Sequence, residues 1–157
     1  MNIDVVPDIT MRGQDDPHGR PVTPRPPTVG RLAAYLRDLA ARPGDWWDLV
    51  RPDPAGPHRA PLDDVAGVEL WLIAWPPGHR TDVHDHSDTE VSMVIAGELV
   101  EVTIRADGVA ERPLRANRVQ VHGGGHTHEL HNPGPAYAIT LHAATRWGRA
   151  GTAATRR

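Results

Sequence analysis

Cysteine is absent from the 157 residues, which removes disulfides, thiolate metal ligands and cysteine nucleophiles in one step. No apolar run is long enough to span a bilayer and no signal peptide is recognisable, so a cytoplasmic protein with no membrane partner is expected. Basic residues are spread along the chain rather than gathered, and the formal charge is −3, which gives no footprint for nucleic acid or anionic lipid. Internal repeats and low-complexity tracts are also lacking. Hydrophobic residues are only 39% of the chain, whereas 15 Gly and 16 Pro punctuate it, a balance that favours many short strands over a helical bundle. The length is that of one domain, sufficient to bury a core.

Organisation follows from pattern. Residues 1–27 carry repeated Pro, Gly, Asp and Arg and read as a flexible arm. Thr28 is placed to cap a helix running to about Arg42, because Leu32, Tyr35, Leu36 and Leu39 share a face, and Pro43-Gly44 ends it. Asp45 to Val50 reads as a further helical turn and residues 51–67 as a connection. From Val68 the pattern becomes one of strands: Val68–Trp75, Val91–Ala96, Glu98–Arg105, Val119–His122 and Tyr137–His142. Asp107-Gly108 between apolar flanks signals a hairpin turn. Residues 146–157 read as a flexible tail. Short strands without intervening helices predict an all-β sandwich or barrel over residues 28–145.

What the chain has in excess is histidine: 10 residues, eight of them between His79 and His142. Imidazole is the commonest metal ligand, so spacing becomes the test. The segment GHRTDVHDHSDTEVSMVIAG places Gly78, His84, His86, Glu90 and Gly97 in the pattern G-x5-H-x-H-x3-E-x6-G. Residues i and i+2 of an extended chain project to one side, so His84 and His86 can close on one ion, and Glu90 has matching parity. Gly97 suits the hairpin that returns the chain.

This pattern resembles the first motif of the cupin family. The second motif, G-x5-P-x-G-x2-H-x3-N, aligns with His128, Asn132 and Gly125, while Asn117 replaces its first Gly and Gly123 its Pro. Both replacements are conformationally mild. The resemblance implies a cupin double-stranded β-helix, a jelly-roll barrel with a short N-terminal helical segment, and a metal held in its mouth by His84, His86 and His128. His126 has the parity of His128 but not the motif spacing and is expected to line the pocket or face solvent; His122 and His131 are expected not to ligate.

Within cupins the stretches WLIAWPPGHRTDVHDHSD, AGELVE, HELHN and AITLH resemble the cysteine dioxygenase, or thiol dioxygenase, family. That resemblance implies an iron(II) centre that oxidises a small thiol with O2 to a sulfinate. It also implies a carboxylate-binding Arg some 25 residues before the His pair, where Arg59 stands; bidentate pairing is the physical reason for arginine there. The family's Ser-x-His-x-Tyr relay reads here as Thr140, His142 and Ala144, so Thr140 and His142 are the implied catalytic pair and the Tyr is missing. The family's Cys–Tyr crosslink is impossible without Cys.

Glu90 leaves two readings open, a fourth metal ligand or a base. With Glu90 as ligand the chain would be a carbon-oxidising dioxygenase, an isomerase or a metal-dependent binding protein. The nitrogen-rich set suits iron(II) and would also accept Zn, Ni, Co or Mn. The expected partners are a small-molecule substrate and O2, with the chain a monomer or homodimer.

Overall fold

The structure, a computed structural model, describes residues 26–145 except residues 66 and 87. The expected tail and all but the last two residues of the expected arm lie outside the described residues. Among the described residues, one α-helix, α1 (Val29–Ala41), is followed by two short 3-10 turns, Pro43–Asp45 and Trp47–Leu49. Eight strands follow: β1 (His58–Pro61), β2 (Val68–Trp75), β3 (Glu90–Ala96), β4 (Leu99–Arg105), β5 (Gly108–Leu114), β6 (Val119–His122), β7 (His128–His131) and β8 (Ala138–Thr145). Thr28 caps α1 as expected, its hydroxyl accepting from the Arg31 N–H at 3.3 Å. Among the described residues no helix is long and apolar enough to cross a membrane.

The strands form a five-stranded sheet in the order β1-β2-β8-β3-β6 and a three-stranded sheet in the order β5-β4-β7, with every pairing antiparallel. Strand β2 explains why the larger sheet is buried on both faces. Leu70, Leu72 and Ala74 belong with Val91, Met93 and Leu141 to a core that includes Leu32, Leu36 and Trp46. The intervening residues Trp71, Ile73 and Trp75 line a cavity on the opposite face. A strand covered on both sides loses its polar alternation, which is why this segment reads as one apolar run. Trp46 is sealed in the core, 1% exposed, with its indole N–H donating to the Leu39 carbonyl at 2.8 Å.

The hairpin signalled by Asp107-Gly108 is present, its returning arm being β5. Two strands were not expected: β1, inside the stretch 51–67 read as connection, and β7. Strands β1 and β5 are edge strands, each pairing on one side only, and both carry a Pro (Pro61, Pro113) that an edge tolerates. The further helical turn expected over Asp45–Val50 is present as the 3-10 turn Trp47–Leu49.

Gly97 turns the β3–β4 hairpin at φ 75°, and a Cβ there would come within 2.6 Å of both Ala138 Cα and the Tyr137 carbonyl oxygen. Asn117, the residue replacing a motif Gly, does adopt left-handed backbone, at φ 59°. Asn132 is fully buried; its amide faces the carbonyls of Trp75, Pro76 and Ala136 at 2.9–3.1 Å and its Oδ1 accepts from Gly134 N–H at 3.0 Å. It ties the loop after β2 to the loop after β7.

Candidate metal centre

A cavity of about 250 Å³ opens between the sheets, walled by Trp71, Ile73, Trp75 and Leu130 and floored by histidines. His84 was expected on a strand; it lies instead in the loop between β2 and β3, joined to β7 by an isolated bridge. In that bridge the His84 N–H donates to the His128 carbonyl at 2.9 Å and the His128 N–H to the His84 carbonyl at 2.8 Å. Directly opposed residues of an antiparallel pair project to one face, so the bridge sets the two rings side by side. His86, two residues on, joins them. The loop is pinned again where the Gly125 N–H donates to the His86 carbonyl at 3.0 Å.

The ring nitrogens then sort themselves. His84 Nδ1 lies 2.9 Å from the Asp82 carbonyl, His128 Nδ1 lies 2.8 Å from Glu101 Oε1, and His86 Nδ1 lies 3.3 Å from Glu90 Oε2. Carbonyls and carboxylates only accept, so each Nδ1 carries the proton and, in the neutral ring, each Nε2 is bare. Those bare nitrogens converge: His86 Nε2 is 2.8 Å and His84 Nε2 is 3.1 Å from His128 Nε2. Lone pairs at such separations repel unless a cation lies among them. Ligating histidines characteristically donate their other N–H to a carboxylate or carbonyl, as His84 and His128 do here, while His86 Nδ1 stands 3.3 Å from the Glu90 carboxylate. The donor set therefore fits a divalent metal, and His84, His86 and His128 are the residues that would hold it.

Glu90, at the start of β3, stands outside that group of three. Its Oε1 accepts from His142 Nδ1 at 2.7 Å and its Oε2 faces His86 Nδ1. Burial alone would raise its carboxyl, but the hydrogen bond from His142 and the neighbouring imidazoles outweigh it and leave the group below its ordinary value. Burial likewise pushes the His86 ring down, partly offset by Glu90.

His142 and Thr140 sit on the central strand β8, both facing the cavity side. The Trp75 N–H donates to Thr140 Oγ1 at 2.9 Å, and Thr140 Oγ1 is 2.7 Å from His142 Nε2. With Nδ1–H engaged by Glu90, the neutral His142 ring accepts the Thr140 hydroxyl proton at Nε2. A continuous hydrogen-bonded chain thus runs Trp75, Thr140, His142, Glu90, with His86 Nδ1 3.3 Å beyond it. Trp71, opposite His142 in the β2–β8 register, stacks on its ring at 5.1 Å. Arg59, on β1, is half-exposed at the cavity rim; its guanidinium lies 4.3 Å above the Trp71 ring and bonds Glu69 Oε1 at 2.8 Å.

The residue that sequence reasoning missed is Glu101, in the middle of β4 and 1% exposed. Besides His128 it holds His126 Nε2 at 2.8 Å and Arg112 Nη2 at 2.5 Å. Burial would raise its carboxyl, but these three donors together hold it far below the ordinary range. The signal was present in β4, whose alternation sets Val100, Val102 and Ile104 on one side and Glu101 on the other. In a barrel whose lumen is a polar site, the polar side is the inward one. His122, at the end of β6, is 3% exposed and, by burial first and then by its proximity to His128, has its pKa lowered to about 4.

A family model for cysteine dioxygenase type I matches residues 28–144. No curated protein matches the chain. Among solved structures, oxalate oxidase in complex with the substrate analogue glycolate is 25% identical with a TM-score of 0.50, over 59% of this chain and 52% of that one. The chain thus spans about half the length of the oxalate oxidase structures it matches. A cupin superfamily protein from Desulfitobacterium hafniense is 13% identical with a TM-score of 0.53, covering 64% of this chain and 87% of that one. A protein with a double-stranded β-helix domain from Klebsiella pneumoniae is 23% identical with a TM-score of 0.55, covering 66% and 88%. These last two likenesses speak to fold, and with the two facing sheets they bear out the all-β double-stranded β-helix.

Proposed function

Given that the chain belongs to the cysteine dioxygenase type I family of cupins, we propose that it oxidises a small thiol with O2 to a sulfinate at an iron(II) held by His84, His86 and His128. The observation that carries this reading is the convergence of three Nε2 atoms, with acceptors behind His84 and His128 and the Glu90 carboxylate beside His86. Iron(II), when bound, supplies coordination positions for thiolate and O2 together and a path for electrons between them. The stoichiometry closes without another reductant: sulfur gives up four electrons, O2 takes four, and both oxygen atoms end on sulfur.

The chain's own residues order the reactants. Trp71, Trp75 and Leu130 exclude water around the sulfur, and Arg59, backed by the Trp71 face, is the cation available for a substrate carboxylate. Taking that role means leaving Glu69. Glu90 acts as a positioning residue whose two oxygens orient His86 and His142. It supplies the partner for His142 where the family's relay has a Tyr; Ala144, at that relay position, lies beside Glu90 in the β3–β8 register. A carboxylate hydrogen-bonded to His142 and standing 3.3 Å from His86 Nδ1 favours the three-nitrogen centre over the four-ligand alternative.

The test is O2 uptake by anaerobically iron-loaded protein with a panel that includes cysteine and its des-amino analogue. Uptake coupled one-to-one to a product two oxygens heavier than the thiol is expected. Iron-replete protein that consumes no O2 with any thiol would overturn the proposal.

A further inference from the structure

On the Nδ1 side of His128, opposite the Nε2 that faces His84 and His86, Glu101, His122 and His126 meet it in the barrel wall, with the His122 ring stacked on His86 at 5.2 Å between centroids. One ligand atom from each of Glu101, His122, His126 and His128 lies within 4.8 Å of the others. Glu101 Oε1 is the centre of this group, with His126 Nε2 and His128 Nδ1 each at 2.8 Å and His122 Nδ1 at 3.5 Å. One carboxylate oxygen offers two lone pairs, so three imidazoles outnumber what it can accept.

The nitrogen left over is His122 Nδ1. It is buried and, among the described residues, is the only buried side-chain nitrogen or oxygen without a hydrogen-bond partner. Its other nitrogen, Nε2, lies 3.2 Å from Ser92 Oγ. In the tautomer whose Nε2–H donates to that hydroxyl, Nδ1 is the bare nitrogen, 3.5 Å from Glu101 Oε1. This repeats the arrangement of the three convergent histidines: one nitrogen anchored on oxygen, the other bare and facing a cluster. An unsatisfied buried nitrogen costs about 1–3 kcal/mol, and such groups in folded proteins ask for a missing partner.

We propose that Glu101, His122 and His126 form a second metal site, behind His128 and distinct from the three-histidine centre. Two imidazole nitrogens and one carboxylate oxygen are a set that holds Fe(II), Zn(II), Co(II) or Mn(II) with positions to spare. The spacing suits it, since an ion bonded at about 2.0–2.2 Å sets adjacent ligand atoms roughly 3.0–3.5 Å apart. Modest movement of His126, the most exposed of the three at 27%, opens its contact with Glu101. Arg112 on Glu101 Oε2 and the His128 N–H on Oε1 fix the carboxylate from both sides. The two centres are joined through that last hydrogen bond, so filling one alters the basicity of His128 in the other.

The experiment counts ions. Zn(II) is titrated into the metal-free full chain and the bound ions are counted by native mass spectrometry. Two per chain are expected for the unmodified protein. His126→Ala, which leaves the core intact, should bind one, and His84→Ala should also bind one, having lost the other. A single ion per chain at saturating zinc that His126→Ala keeps and His84→Ala loses, or two ions retained in His126→Ala, would overturn the proposal. Diffraction from Co(II)-soaked crystals at the cobalt edge reads the same question without a variant. An anomalous peak among Glu101, His122 and His126 is expected, and a water there with no anomalous signal refutes the site. Failure of the three-histidine reading would empty the other position and leave this one filled.

Discussion

Replacing Glu90 by Gln separates a positioning carboxylate from a metal ligand. The change keeps the volume of the side chain and one acceptor oxygen but removes the charge that His142 Nδ1–H meets at 2.7 Å and His86 Nδ1–H meets at 3.3 Å. A hydrogen bond to a charged group contributes about 1.5–3 kcal/mol, against about 1 for a neutral one. The difference, roughly 0.5–2 kcal/mol at His142, corresponds to a fall of about 2- to 30-fold in kcat if that ring must be held in one tautomer. The longer contact to His86 is weaker, and losing such a partner behind a ligating ring costs about 10-fold in metal affinity. Iron content at saturation should therefore stay at its unmodified level, with a modest rise in Kd measured by chelator competition and a lowered kcat in O2 uptake. Complete loss of iron from Glu90→Gln at saturating metal would show that the carboxylate is a ligand and refute the reasoning.

Other outcomes follow from the same contacts. Gly97→Ala puts a Cβ 2.6 Å from the Ala138 backbone at a φ of 75°, so it should destabilise the fold by about 3 kcal/mol or more, read by denaturant unfolding. In the metal-free protein, stability should fall with acid in two stages. His122, lowered to about 4 in the fold, binds a proton less readily folded than unfolded, so stability drops by at most about 3 kcal/mol as pH falls from about 6.5 to 4. The carboxyls of Glu90 and Glu101 are also lowered, so their contribution is present above pH about 4.5 and disappears only below it. A pH-independent unfolding midpoint between 4 and 7 would contradict the buried neutral His122. Arg59→Ala should raise KM for a thiol carboxylate about 10-fold or more while changing kcat little, because the contact is made before the chemistry as well as during it; an unchanged KM removes Arg59 from substrate binding.

Much of the centre was legible in the chain because its geometry is local. His84 and His86 are two residues apart on an extended segment, and Gly97 is required by a turn that any reader of the spacing can place. His128 was reachable only through the second motif, since its approach to His84 depends on a bridge across 44 residues. Glu101 was not reachable that way. A lone Glu in an alternating strand reads as solvent-facing until the neighbouring sheet shows that the polar face is the lumen. The missed strands β1 and β7 fail for a related reason, because edge strands carry the Pro or charge, here Pro61 and Glu129, that local propensity assigns to loops. The relay was half legible: Thr140 and His142 follow from parity on one strand, but their third partner, Glu90, comes from a different strand paired in register and leaves no mark at the position where a Tyr was missing.

The central claim is that one ion sits on three imidazole Nε2 atoms. It is tested most directly by diffraction at the iron edge from anaerobically iron-loaded crystals. The account predicts an anomalous peak about 2.0–2.3 Å from Nε2 of His84, His86 and His128, with both Glu90 oxygens turned away toward His86 Nδ1 and His142. Iron-loaded crystals with no anomalous peak among those three nitrogens would contradict it.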